Sequence, residues 1–138
     1  GEVIDNPDKN TQNALSELKT LNNVTFVGYL TREKIEPFLS KALCLLNTSL
    51  YEGFPNTFLE SFAVGTPVAT IEDIDPDQII MRHSLGKTTN NPNKLFECIL
   101  KIINHDSYNE MSTRCLDYLI KNHDNKTIAA ELLEKLKN

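Results

Sequence analysis

Two glutamates, Glu52 and Glu60, bracket the run Gly53-Phe54-Pro55-Asn56-Thr57-Phe58-Leu59. Glycine, proline and asparagine lead there directly into a segment of helical character that begins near Asn56. The first amides of such a helix, around Asn56, Thr57 and Phe58, have no acceptor within the helix and stand at the positive end of its dipole. They make a seat for a pyrophosphate that needs no Lys or Arg. Glu60 lies four residues beyond Asn56 on the same helical face, and its carboxylate suits the two hydroxyls of a ribose. Glu52 stands in the loop on the open side, where a sugar beyond the phosphates would project.

The elements around this pair read as an α/β alternation. Ala14, Leu15, Leu18 and Leu21 recur at helical spacing from Asn10, and Asn22-Asn23 closes the segment. Val24-Thr25-Phe26-Val27 predicts a strand ended by Gly28. Thr31 caps a short turn, and Pro37 fits the first position of a helix through Ala42. Leu43-Cys44-Leu45-Leu46 is a continuous apolar run, as expected of a parallel strand buried on both faces. Ser49 to Pro55 reads as a loop, and Asn56 to Val64 as a helix with Phe58, Leu59, Phe62 and Ala63 inward. Gly65 takes the left-handed position after it. Pro67 to Ile71 is the next strand, followed by an acidic loop, a short helix over Pro76 to His83 and a last short strand at Gly86-Lys87-Thr88. Three helices follow, over about 94–104, 107–121 and 127–137. The expected fold is a Rossmann-like parallel sheet with helices on both faces and a helical C-terminus, one domain over 1–138. Ligands of such sheets bind outside the carboxyl ends of the strands. That points to Gly28-Tyr29-Leu30, the loop from Asn47 to Asn56, and Ile71 to Asp77.

The composition narrows the function further. In 138 residues, 40% are hydrophobic and 24% charged, which excludes a disordered tail, a collagen-like repeat and a disulfide-dense mini-protein. A net charge of −5, from 14 basic and 19 acidic residues without a basic run, argues against a nucleic-acid partner. Cys44, Cys98 and Cys115 are widely spaced in apolar runs and read as free buried thiols of a reducing compartment. No stretch approaches a membrane span and the first residues do not resemble a signal peptide, so the expected location is cytoplasmic. The sequons at Asn23, Asn47 and Asn125 would matter only in a secreted protein.

The stretch from Glu52 to Glu60 resembles the motif of two glutamates with seven residues between them in retaining glycosyltransferases of the GT-B fold, particularly the large family 4. Asn23-Val-Thr-Phe-Val-Gly-Tyr-Leu30 and Gly65-Thr66-Pro67-Val68 are similar to flanking blocks of the same family. From residue 71 onward the likeness rests on helix order alone. The resemblance implies the C-terminal, donor-binding half of a GT-B enzyme. In it Glu60 would bind the ribose of a nucleotide-diphosphate sugar. Glu52, the catalytic-site candidate, would contact hydroxyls of the transferred sugar and position the donor. Gly53, Phe54, Asn56, Thr57 and Phe58 would hold sugar and diphosphate through the backbone, while Gly28, Tyr29 and Leu30 would edge the base. The family retains anomeric configuration and usually needs no metal or other cofactor.

By the same resemblance, a longer parent would move a hexose onto a polysaccharide, lipopolysaccharide or glycolipid acceptor. Its partners would be the donor, an N-terminal acceptor domain missing here, and a peripheral position at the cytoplasmic membrane face. The chain alone is expected to be inactive. It departs from the family in lacking the opening strand, its Gly-rich turn and the Arg/Lys pair that neutralises the diphosphate. It also carries Glu72-Asp73-Ile74-Asp75-Pro76-Asp77-Gln78 where relatives have a glycine-rich loop and a Pro-Glu pair. Those acids motivate an alternative, a catalytically silent nucleotide-binding or scaffolding module of the same fold. A sugar-nucleotide epimerase or a sugar-phosphate-forming synthase shares the architecture but should lack Gly53-Phe54-Pro55-Asn56.

Other motifs carry less. Asp73, Asp75 and Asp77 fail as a calcium loop, because Gln78 replaces the turn glycine and Ser84 stands in the bidentate glutamate's place. They read as a solvated acidic turn capping the helix at Pro76. Gly86-Lys87-Thr88 lacks the first glycine of a phosphate-binding loop, since Met81 stands there. His83, His105 and His123 read as isolated surface or helix-end residues, and no metal site is expected.

Overall fold

The computed structural model describes residues 7–49, 51–104 and 106–123. The helix read over 127–137, His105 and the sequon residue Asn125 lie outside them. The chain divides into two units, Gly1–Ile35 and Glu36–Asn138.

In the first unit, Asp8 opens helix α1 (Lys9–Leu18) by accepting from the amides of Asn10 and Thr11 at 2.9 and 3.1 Å. The Thr11 hydroxyl and amide hold the Asp8 carboxyl below its ordinary value. No residue of α1 is buried, and Leu15 alone of its apolar residues is half-buried. The strand read at Val24–Val27 does not form, and Phe26 and Val27 are exposed. A β-prone segment becomes a strand only beside another that completes its ladder, and no described segment does so here. Gly28 turns the chain at φ +66°.

Helix α2 (Arg32–Leu39) corrects the reading of Pro37 as a helix start, because Pro37 lies inside it. The helix begins five residues earlier, where the Thr31 carbonyl accepts from Lys34 and Ile35, each at 3.0 Å. Proline's missing N–H falls in the last turn, and the Ser40 amide resumes bonding to Glu36 at 2.9 Å.

The second unit is built on three parallel strands in the order β1 (Leu45–Leu46), β2 (Val68–Ile71), β3 (Gly86–Thr89). Val68 pairs with Leu45 on one side and Gly86 on the other. Every residue of β2 is buried, whereas Leu43 and Leu46 are exposed. The expectation that the Leu43–Leu46 run is buried on both faces is therefore wrong for β1, which is an edge strand of this sheet. Gly86 is required by close approach: a Cβ there would lie 1.8 Å from the Val68 carbonyl oxygen.

Consecutive residues of β2 feed two cores, because side chains alternate across a strand. Val68 packs with Phe58 and Phe62 of helix α3 (Asn56–Ala63), Ile79 and Ile80 of α4 (Ile79–His83), and Cys115 of α6 (Tyr108–His123). Ala69 packs with Cys98 and Ile102 of α5 (Leu95–Ile103) and Met111 of α6. Phe58 and Phe62 are fully enclosed, and each burial contributes roughly 1.5–3 kcal/mol. The sheet thus has helices on both faces, as the alternation predicts.

The end of α3 is fixed by its own sequence. The Gly65 amide bonds to Phe62 at 3.0 Å and the Thr66 amide to Ser61 at 2.9 Å, the Schellman arrangement. Gly65 adopts φ +73°, as read from its position after the helix. Buried Ser61 donates its hydroxyl to the Thr66 carbonyl at 2.7 Å, and Thr66 donates to Leu39 at 2.7 Å. Ser61 consequently faces inward, and Ala63, expected inside, is exposed.

Candidate functional site

The loop leaving β1 carries the candidate residues to the carboxyl end of the sheet. Asn47 follows β1, its amide bonded to Ala69 at 2.9 Å, and its side chain bonds twice. Asn47 Oδ1 accepts from the Ser49 amide at 2.9 Å, and Asn47 Nδ2 donates to Glu52 Oε2 at 3.0 Å. The exposed Glu52 carboxylate is thereby tethered to the strand end. Glu52 and Gly53 line a cavity of about 600 Å3 together with Tyr51, Asp73 and Ile74. Glu60, half-buried on α3, does not line that cavity.

At the start of α3, Pro55 is buried and offers no side-chain cap. The Phe58 amide bonds to the Pro55 carbonyl at 2.9 Å, and the Phe58 ring belongs to the core. The amides of Asn56 and Thr57 have no protein acceptor among the described residues, which narrows the bare helix start to these two. Phe54 lies against His123, ring centroids 6.1 Å apart. Gly28, Tyr29 and Leu30 belong to the first unit, where Tyr29 is exposed.

The acidic segment after β2 differs from its sequence reading. Single 3-10 turns span Glu72–Ile74 and Pro76–Gln78, and α4 starts only at Ile79, not at Pro76. Asp77 and Gln78 take left-handed φ of 52° and 58°. Asp75 is buried rather than solvated, its two oxygens accepting from the amides of Ile80 at 2.9 Å and Met81 at 3.2 Å. It does cap the helix, from further back than the sequence suggests, and the left-handed pair winds the chain over it. Burial pushes its carboxyl above the usual range, against the pull of those amides and of Arg82. Glu72, Asp73 and Asp77 are exposed. Among the described residues no three of His, Cys, Asp and Glu come together as a metal could use.

His83 and His123 end their helices as read, yet neither is isolated. The Tyr118 ring lies 4.9 Å from His83 and 5.6 Å from His123, and also 5.9 Å from Phe62. Burial first, then the charges of Asp77 and Asp75, push the Tyr118 phenol up. Helix α6 therefore reaches both the Phe54 loop and the acidic turn.

The open amides that start α3 and the tethered Glu52 both stand on the segment that leaves the carboxyl end of β1. The sequence model of the family described as glycosyl transferases group 1 matches residues 4–105. The chain belongs to that family. No curated protein and no solved structure matches it. The match of this group 1 glycosyltransferase chain takes in both units' candidate residues and runs beyond residue 71, past α4 and α5, where helix order alone had carried the likeness. All of α6 lies outside it. Among the described residues no helix is long and apolar enough to cross a membrane.

Sequence reasoning missed Asn47, Tyr51 and Asp73. Asn47 was read as a sequon and as the first residue of the ligand loop but given no role, though a polar residue at a strand end five before a motif glutamate signals a loop tether. Asp73 was absorbed into the acidic turn, and nothing local to the sequence announces that this turn shares a wall with Tyr51.

Proposed function

We propose that this chain supplies the nucleotide-diphosphate-sugar-binding half of a retaining glycosyltransferase. The observation that carries it is the start of α3, where the Asn56 and Thr57 amides stand without protein acceptors inside the family motif. The diphosphate is held there by amides and dipole rather than by a basic side chain. Glu60 accepts from the ribose hydroxyls. Glu52, fixed by Asn47, accepts from hydroxyls of a hexose-type donor sugar, with Gly53 and Phe54 close by, and positions it for transfer. Gly28, Tyr29 and Leu30 edge the base, and no metal takes part. The acceptor is a polysaccharide, lipopolysaccharide or glycolipid handled by an N-terminal domain of a cytoplasmic, membrane-peripheral parent. Transfer requires that domain closed over the donor to exclude water, so the chain alone binds donor without transferring sugar.

Calorimetric titration of the chain with nucleotide sugars and nucleoside diphosphates tests this reading. Binding should weaken by ~10-fold in Glu60→Ala, the effect of one charged hydrogen bond. Glu52→Gln should weaken sugar nucleotides and spare nucleoside diphosphates. Equal affinity across all three proteins overturns the assignment. A second reading, a catalytically silent module, is favoured by Asp73 sharing the Glu52 cavity, whose lining holds two carboxylates and no base. Donor turnover by a parent protein decides against it.

A further inference from the structure

The Glu52 cavity does not end at its own walls. A second hollow of about 230 Å3 shares Tyr51 and Asp73 with it and adds Glu72 and Asn90. A third, also about 230 Å3, shares Glu72 and Asn90 with the second and reaches Lys94. The three adjoin along the loops that leave the carboxyl ends of β1, β2 and β3. The first has the size of small-molecule sites, roughly 300–1,000 Å3.

Tyr51 stands at the junction of the first two hollows with 94% of its surface exposed. A tyrosine ring there offers a flat apolar face and a polar tip. Glu52, Glu72 and Asp73 around it only accept hydrogen bonds when ionised, whereas Asn90 both donates and accepts. No basic residue lines the first two hollows, so like-charge repulsion keeps a phosphate chain out of them. A pyranose fits this chemistry: its C–H face covers a ring, and its hydroxyl or ammonium groups donate into carboxylates, where hydrogen bonds are strongest.

We propose that this trench is a saccharide-binding subsite for the acceptor, taking a pyranose chain with free hydroxyl or ammonium groups across Tyr51 toward Asn90. It rests on the glycosyl-transfer reading above and adds an acceptor contact on the half that binds the donor. The acids that disfavour a diphosphate then have a use beside it.

Amide NMR of the 138-residue chain tests this, titrated separately with maltotriose, with a glucosamine trimer and with uridine and guanosine diphosphates. At least one trimer should shift the amides of Tyr51, Asp73 and Asn90, with affinity lowered ~10-fold in Tyr51→Ala and in Asp73→Asn. Both side chains are exposed, so both variants should fold, which their amide spectra show directly. Tighter binding of the glucosamine trimer marks ammonium groups as the preferred donors, and tighter maltotriose binding marks hydroxyls. Absence of shifts with both trimers, or unchanged affinity in both variants, overturns the proposal. Nucleotide shifts at Asn56 and Thr57 with a silent trench overturn this inference alone. Saccharide binding without any nucleotide response supports the trench and overturns the donor reading.

Discussion

The three cysteines are free thiols in graded surroundings. Cys115 is fully enclosed, its Sγ 3.6 Å from the Leu85 carbonyl, and burial pushes its pKa up to about 12. Burial also raises Cys98 and the half-buried Cys44. Alkylation at pH 8 should therefore modify Cys44 first and Cys115 only on unfolding, as peptide mapping of a time course would show. The pH dependence has a definite sign. Above 9.0, the ordinary value, an unfolded Cys115 loses its proton while the folded one keeps it, so stability falls by about 1.4 kcal/mol per pH unit. Urea unfolding of wild type and Cys115→Ala should converge at that rate from pH 9 upward. Parallel pH profiles would show the thiol is not held neutral. Burial of Cys98 and Cys115 was legible in their apolar runs. The partial exposure of Cys44 was not, since it follows from β1 being an edge strand.

Among the elements, α3 and α4 are held by single residues whose roles differ in visibility. Gly65 was legible because a glycine after a helical run fits the left-handed end. That a Cβ there would also meet Ser112 Oγ on α6 at 2.6 Å was not. Gly65→Ala should cost about 2 kcal/mol in urea unfolding, from strained φ and that contact together. A loss under half of this would mean α6 simply moves aside. Asp75→Ala should cost about 2 kcal/mol by leaving the Ile80 and Met81 amides without their acceptor. Asp75→Asn, which keeps one acceptor oxygen, should lose less. Because burial raises the Asp75 pKa above its ordinary 3.8, protonation favours the folded chain. Its contribution declines as pH rises through the interval above 3.8, and Asp75→Asn should flatten that limb. The acidic turn hid this role because three aspartates at alternate positions are equivalent in sequence, and only packing selects the middle one.

For the molecule as a whole, burial is concentrated in the second unit. Every buried side chain among the described residues lies between Leu39 and Cys115, while α1 has none. A helix of ten residues with none of them buried is marginal in water. Amide hydrogen exchange should therefore protect β2 and β3 over α1 by on the order of 10^3-fold. Equal protection would show that α1 shares the cooperative unit of the sheet.

The order of strands and helices from Leu45 to His123, the bare helix start at Asn56 and the two flanking glutamates were determined by the sequence alone. They depend on contacts a few residues apart, where spacing, caps and apolar runs act directly. Tertiary structure alone decided that Val24–Val27 forms no strand, that β1 is an edge, and that Asp75 turns inward. It also brought Asp73 to the wall beside Tyr51 and Glu52. Each of those outcomes depends on which distant segment supplies a ladder partner, a cover or a neighbouring wall, and pairwise geometry of that kind leaves no local mark in a chain.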